Sequence, residues 1–442
     1  MFIKKKVELL ILATLLVTCH GFTEQSHAGI ADLKAKPQLQ QAFESIIDEE
    51  QQNEADLIRL TEIPAPPFME EERAKHFAAM LKASGADDVQ IDSVGNVIAT
   101  IKGSIGLKTV AVSAHLDTVF PPDTLIKVRR EGNRLIAPGI GDNTRGLIMV
   151  NALMKAIRAA QIKMQANVLL VGTVGEEGLG DLRGVKHLFR DDAPGIDSFI
   201  AIDGSNPEKV VTSGVGSNRY RVTFTGPGGH SWRAFGHANP HHALGHAISF
   251  LDKIGPSVTD EGEKSAYNIG RIGGGTSINS IPFASWMEVD IRSGSRERLD
   301  KLDTVFKQAV QQALLTENSA RKYGPELRVE IKKVGERPAA KGKTDFNLVQ
   351  NMLEINDSFG YKTNLRAGST DSSIPISKGI PAVTISRGGK GGEAHSLEEW
   401  WENDKGYEGI QIALLLLVGN WQISLLIDHF QNLMMSLPSL IR

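Results

Sequence analysis

Val110–Pro121 reads VAVSAHLDTVFP, an apolar run that stops abruptly at His115, Leu116 and Asp117. Val110, Val112 and Ala114 alternate with smaller residues, the pattern of a strand in a buried sheet. Such a strand places His115 and Asp117 on one face at its carboxyl end, where α/β sheets carry their sites. His115 can offer a ring nitrogen to a metal, with Asp117 accepting the other N–H or holding the backbone around it. The same two residues also fit a core histidine beside a turn aspartate, and this strand alone leaves both readings open.

The neighbouring strand ends narrow the choice. Arg134–Ile140 reads as a short strand feeding GIGDNTRG (139–146), and a helix over Leu147–Ala160 follows with apolar residues at Leu147, Val150, Met154 and Ile157. Asp142 stands just ahead of that helix. It is either an N-cap, worth about 1 kcal/mol, or a metal-bridging carboxylate held by backbone amides. Asn167–Val174 is another apolar strand and ends in Gly175-Glu176-Glu177-Gly178. Adjacent carboxylates at a partly buried strand end cost free energy unless a cation offsets them. Adjacent side chains also diverge, so one can bind metal while the other faces the substrate water. Ser198–Ile202 ends at Asp203, and Ala382–Ser386 precedes a glycine-rich loop carrying Glu393-Ala394-His395-Ser396. Five strand ends thus offer His115/Asp117, Asp142, Glu176/Glu177, Asp203 and His395, the imidazoles and carboxylates from which metal sites are made.

Composition sets the frame for this site. The 442 residues are 41% hydrophobic and 23% charged, enough for two soluble domains with ample core. Net charge is −3, from 49 basic and 52 acidic residues, without a basic cluster beyond the first few positions, which argues against a nucleic-acid partner. Lys4-Lys5-Lys6, the apolar run Val7–Val17 and Ser26-His27-Ala28 have the layout of a signal peptide over residues 1–28, so an exported, periplasmic or secreted protein is expected. The single cysteine, Cys19, falls inside that segment, leaving the mature chain without disulfides or a thiol nucleophile. Leu16-Val17-Thr18-Cys19 fits a lipoprotein box poorly.

Helices are expected over Ala31–Leu60 and Glu70–Ser84, joined by the rigid Ile63-Pro64-Ala65-Pro66-Pro67 connection, then strands over Val89–Ile101 broken at Gly95-Asn96. From Asn218 the texture changes. Tyr220, Val222 and Phe224 alternate with Arg219, Arg221 and Thr223, as in an antiparallel strand wet on one side. A helix from Pro240, strands at Asn268–Gly274 and Ala284–Arg292, a helix over Ser295–Leu315 and a strand at Glu326–Val334 complete a β-α-β-β-α-β order, the split βαβ motif. Residues 216–335 are therefore read as a domain inserted between catalytic segments 29–215 and 336–442. Ile410–Val418 reads as a buried helix, and the apolar residues after Asn420 have no functional account.

HLDT, GIGDNTRG, TVGEEG, AIDG, GPGGHSW, GGTSINSIP, DIRS and EAHS, in that order, resemble the zinc-dependent exopeptidase and amidohydrolase superfamily of carboxypeptidase G, aminoacylase, succinyl-diaminopimelate desuccinylase and peptidase T. The resemblance runs from about residue 55 to about 415 and leans toward the peptidase T-like branch. It implies an α/β fold, a mixed, mostly parallel sheet with helices on both faces, plus an inserted α+β ferredoxin-like lid that also dimerises. It implies two Zn2+ ions per subunit, with His115 and Asp203 on one, Glu177 and His395 on the other, and Asp142 bridging. Asp117 would orient His115, Glu176 would be the general base, and His230 would stabilise the oxyanion in the active site of a partner subunit. Asn279 and Arg292 would touch substrate from the lid. Asn143-Thr144-Arg145 follows Asp142 where many relatives place a second acid, which leaves the surroundings of the bridge unsettled.

Two zinc ions roughly 3.5–4 Å apart can share a water and bring its pKa near 7, and Glu176 can take its proton and pass it to the leaving nitrogen. Co2+ or Mn2+ would suit the same donors. The expected activity is hydrolysis of di- or tripeptides. An N-acyl amino-acid deacylase with the same site is the alternative, and a catalytically silent ligand-binding relative is disfavoured because Glu176 and all the ligands are present. His237, His241, His242 and His246 crowd the lid and read as polar surface or dimer contacts. Gly368-Ser369-Thr370-Asp371-Ser372 lacks the strand–Ser–helix elbow of a serine hydrolase and reads as a loop lining the pocket, with Arg366 or Gly368 near substrate.

Overall fold

The computed structural model describes residues 29–420. The expected signal segment with Cys19 and the apolar tail after Asn420 lie outside the described residues. Ala31–Leu60, expected as one helix, forms three: α1 (Ile30–Lys34), α2 (Pro37–Asp48) and α3 (Glu50–Thr61). Pro37 explains the first break, because it lacks the N–H a helix interior needs and suits the first helical position. After α4 (Glu71–Ala83) come β1 (Asp88–Ile91), β2 (Val97–Ile101) and β3 (Thr109–His115). Next are β4 (Arg129–Glu131), β5 (Arg134–Ile136), α5 (Gly146–Ala159), β6 (Asn167–Thr173), α6 (Arg183–Leu188), β7 (Ser198–Ile202) and β8 (Lys209–Gly214).

The chain then enters the insertion: β9 (Gly216–Thr225), β10 (Gly229–His230), α7 (Pro240–Ile254), β11 (Ser265–Gly274), β12 (Ser280–Ile281), β13 (Ala284–Ser293), α8 (Arg296–Ala320) and β14 (Arg328–Arg337). It returns through α9 (Asn347–Ser358), β15 (Asn364–Gly368), α10 (Ser373–Ser377), β16 (Ala382–Ile385), β17 (Lys390–Gly392), β18 (Trp400–Glu402) and α11 (Gly406–Gly419).

The large sheet has the order β1-β2-β6-β3-β7-β16-β8-β15. Its centre, β6-β3-β7-β16, is parallel, so these strands present their carboxyl ends on one edge. Side-chain alternation along β3 divides the core: Val110, Val112 and Ala114 pack with α1–α5, α9 and α11, whereas Ala111 packs with α6 and α10 on the other face. Helices therefore cover both faces. α5 departs from the expected single stripe, since Ile148, Met149 and Leu153 are buried along with Leu147, Val150, Met154 and Ile157. It is walled in by the sheet and by α2, α3, α4 and α11, which is what a helix apolar all round requires.

β5 does not join the large sheet. It pairs with β4 and β18 in a separate four-stranded antiparallel sheet, β17-β18-β5-β4. The insertion forms its own antiparallel sheet, β11-β13-β9-β14, backed by α7 and α8 over a core that includes Val222, Phe224, Met287, Val289, Ile291 and Phe306. That is the strand order of the split βαβ motif.

Candidate active site

Three strands of the large sheet and two loops of the small sheet converge on one place. β3 brings His115, β6 leads through Gly175 to Glu176 and Glu177, and β7 leads to Asp203. Gly175 turns the chain at φ 66°, and a Cβ there would run into the Arg183 side chain, so the glycine is what lets the two glutamates follow the strand so tightly. Asp142 and His395 come from loops after β5 and β17, so the strand ends read from the sequence belong to two sheets, of which the small one supplies these two donors. Asp142 is also no N-cap. The helix begins at Gly146 without a side-chain cap, and the Asp142 carboxylate faces the histidines instead.

His115 Nε2 lies 3.0 Å from Asp142 Oδ1, and His395 Nε2 lies 3.4 Å from Asp142 Oδ2 and 2.9 Å from Glu177 Oε1. Donor atoms of His115, Asp142 and Glu177 all fall within 4.8 Å of one another, close enough to share a cation. Asp203 sits to the side. Its Oδ2 accepts from Thr370 Oγ1 at 2.9 Å, and the buried Arg387 guanidinium stands between it and Asp142, with Nη1 at 3.9 and 4.0 Å from the two carboxylates. His395 and Glu393 hold φ of 67° and 56°, a left-handed backbone that costs of order 1–3 kcal/mol per residue and collects at functional sites.

Of the two jobs expected of Asp117, its carboxylate does the second and holds backbone rather than the imidazole. Its carboxylate oxygen is 3.7 Å from His115 Nδ1, too far for a hydrogen bond, and the ring N–H donates to the Asp117 carbonyl at 3.0 Å. The carboxylate instead accepts the backbone N–H of Glu176 at 3.0 Å and of Glu177 at 2.7 Å. Asp117 thus fixes the turn that aims both glutamates, and Nδ1–H bonding leaves His115 Nε2 for a ligand.

The electrostatics follow from burial of like charge. Burial alone would lower the His115 imidazole, but the Asp142 hydrogen bond and charge hold it well above its ordinary value. Burial likewise pushes Asp142 up, yet His115 and His395 carry it well below the usual carboxylate range. Asp203 is raised by burial and by Asp142, and Asp371 is pushed up to about 6 chiefly by burial. So many carboxylates in one buried place make an acidic pocket of the kind a multivalent cation can offset.

Four contributors carry no sequence signal for the roles they fill, although Thr370 belongs to the loop expected to line the pocket. Arg337 donates through Nη1 to Glu176 Oε1 at 3.1 Å and through Nη2 to the Glu176 carbonyl, and it also reaches Ser369. Glu399 accepts the backbone N–H groups of Gly139, Gly141 and Asp142. Thr370 and Arg387 steady Asp203 and Asp142 as described. Asn143 and Arg145, where an acid was expected, tie the loop down: Asn143 Nδ2 donates to the Ile202 carbonyl at 2.7 Å, and Arg145 Nη2 to Gly406 at 3.0 Å.

The lid residues are not brought into the cluster together. His230 is exposed on β10, and its Nδ1 accepts the Trp232 N–H at 3.2 Å. Asn279 lies beside it, its carbonyl bonded by the Ser231 N–H at 2.9 Å. Arg292 is at the opposite end of β13, paired to Asp290 at 2.6 Å and in register with Ser217, which is itself opposite Arg337. The two expected substrate contacts therefore occupy opposite ends of the lid sheet. Among the described residues, none of the recorded bonds of His230, Asn279 or Arg292 reaches the five metal-type donors.

Residues 111–418 match the model of Peptidase family M20/M25/M40. The chain is 22% identical over 319 residues to the uncharacterized protein YqjE of Bacillus subtilis, covering 70% of this chain and 80% of that one. The fold is similar to that of the aminopeptidase PepT from Bacillus cereus (TM-score 0.65, 20% identity, 86% of this chain and 98% of that one). It is similar as well to that of the dipeptidase Dug1p from Saccharomyces cerevisiae (TM-score 0.70, 15% identity, 86% and 98%).

Proposed function

The chain belongs to peptidase family M20/M25/M40 and is a metal-dependent hydrolase of peptide or amide bonds; from that premise we propose that it is an exported two-zinc exopeptidase acting on di- and tripeptides. The observation that carries the reading is the meeting of His115, Asp142, Glu177 and His395 at the carboxyl edge, with Glu176 held apart from them on Arg337. His115 and Asp203 would hold one ion, Glu177 and His395 the other, and Asp142 both. Imidazole nitrogens and carboxylate oxygens suit zinc, and cobalt or manganese fit the same set. When bound, the ion pair supplies an acidified water and polarises the scissile carbonyl.

Glu176 does the proton work. Arg337 occupies Oε1, while Oε2 receives no hydrogen bond from the described residues. That oxygen can take the proton of the attacking water and deliver it to the leaving nitrogen. Arg292, at the end of the lid sheet opposite His230, would receive a substrate carboxylate in place of its Asp290 contact. His230 and Asn279, at the far end, serve a partner copy. In support of a homodimer, Trp232, Phe235, Ile278 and Phe283 stand exposed around them, an apolar group that monomers rarely leave bare. His230→Ala is expected to keep the dimer, read by light scattering, and to cut turnover about 100-fold, the usual cost of an oxyanion donor. Unchanged turnover of a good substrate would remove His230 from the site.

The test of function measures metal content and hydrolysis together, on the purified chain, against di- and tripeptides and N-acetyl amino acids. About two zinc ions per chain with peptide turnover is the expected result. Turnover of the N-acetyl amino acids alone would make the protein a deacylase, and a chain that takes up no metal would end the reading.

A further inference from the structure

A positive charge is built into the candidate metal cluster itself. Arg387 stands just past β16 and is only 4% exposed, and its Nη1 lies 4.0 Å from Asp142 Oδ1 and 3.9 Å from Asp203 Oδ1. Both gaps are too long for hydrogen bonds, and the Arg387 Nε is buried without a hydrogen-bond partner. The residue is anchored through its backbone: its N–H donates to the Gly204 carbonyl at 3.0 Å, and its carbonyl accepts from Arg145 Nε at 3.3 Å. The guanidinium thus lends the two carboxylates charge without fixing their oxygens. Thr370, donating to Asp203 Oδ2, and Glu399, accepting the Asp142 backbone N–H, do the fixing.

That charge is not shared evenly across the cluster. The two oxygens of Asp142 face different histidines: Oδ1 is 3.0 Å from His115 Nε2, and Oδ2 is 3.4 Å from His395 Nε2. Arg387 stands beside Oδ1, the oxygen on the His115 side, and its other close carboxylate is Asp203. With two ions bound, both carboxylate donors of the His115 ion would therefore lie beside a fixed cation. The other ion would take Glu177 and the far oxygen of Asp142, and among the described residues Arg387 forms no recorded pair with Glu177. Charges in a site shut away from water are weakly screened, so a buried guanidinium weakens the hold on a dication most at the donors it stands against.

We propose that Arg387 makes the two metal positions unequal, so that the ion of His115 and Asp203 is the loosely held, exchangeable one and the ion of Glu177 and His395 the tight one. The inference rests on the two-ion reading above. The experiment titrates zinc into the full chain, freed of metal, in competition with a chelator of known affinity, and reads binding rather than turnover. Wild type is expected to take up two ions in separate steps, the second weaker by about tenfold or more. Arg387→Met removes the charge and keeps an unbranched side chain, and is expected to tighten the weak step by about tenfold or more while moving the tight step less. Arg387→Lys keeps a charge and is expected to keep two unequal steps. Asp203→Asn is expected to lose the weak step and retain the tight one. The expected change in Arg387→Met is a gain, whereas a chain that had lost its fold would bind zinc more weakly. Two ions bound by Arg387→Met with the weak step unmoved overturns the proposal and leaves the two-ion reading standing, as does equal tightening in Arg387→Lys. One ion in wild type and two in Arg387→Met would bear the proposal out. One ion or none in both chains ends the two-ion reading and this proposal with it.

Discussion

Glu176→Gln lowers turnover about 100- to 10,000-fold, the range expected for loss of a general base, while bound metal stays at the wild-type level. The substitution is nearly isosteric. Its amide oxygen can still accept from Arg337, and the backbone bonds from Glu176 and Glu177 to Asp117 do not involve the side chain. What disappears is the proton acceptor. Burial holds the Glu176 carboxyl well above its ordinary value, against the opposing pull of Arg337, and that is the direction a base working near neutral pH needs. Metal content and turnover, read on the same sample, separate two failures. Turnover lost together with metal would make Glu176 a ligand, and turnover retained with metal bound would end its role as base. The neighbouring Glu177 should behave in the opposite way, because its Oε1 lies among the donors shared with His395 and Asp142.

That these two adjacent glutamates face different partners could be anticipated from the sequence, because adjacent side chains diverge. A buried strand ending in His115 or Glu176 announces itself because the apolar run is local and the interruption is abrupt. The same local logic set the β-α-β-β-α-β order of the lid. It failed where the determining contact is remote. Arg337 meets Glu176 across 161 residues, and nothing beside it in sequence points to that contact. The short strand before Asp142 was legible, but nothing in seven residues says which sheet it joins, and it joins the small one. Asn279 precedes β12 and β13 while Arg292 stands near the far end of β13, and only the length of that strand shows that they cannot serve one end of the lid.

Glu399 is the extreme case, and its replacement has the largest expected effect on stability. Its carboxylate accepts three backbone N–H groups, from Gly139 at 3.1 Å, Gly141 at 2.9 Å and Asp142 at 2.6 Å, across 257 to 260 residues. At 1% exposure it is shut away from bulk water. Glu399→Ala leaves three buried donors unpaired at about 1–3 kcal/mol each, so the chain loses about 3 kcal/mol or more out of a total that is commonly 5–15 kcal/mol. The damage falls on the loop that presents Asp142, the carboxylate shared by His115 and His395. Metal affinity should therefore drop by about 10- to 100-fold, as it does when a ligand loses its support. Chemical denaturation in excess chelator reads the first effect without help from bound ions, and a zinc titration of the folded variant reads the second. Glu399→Gln should fall between, since its oxygen can keep the Gly141 and Asp142 bonds while its NH2 turns a donor toward Gly139. A Glu399→Ala chain as stable as wild type in chelator would mean that the loop holds itself, through Thr144 on Gly139 and Asn143 on Ile202, and that Glu399 is a passenger.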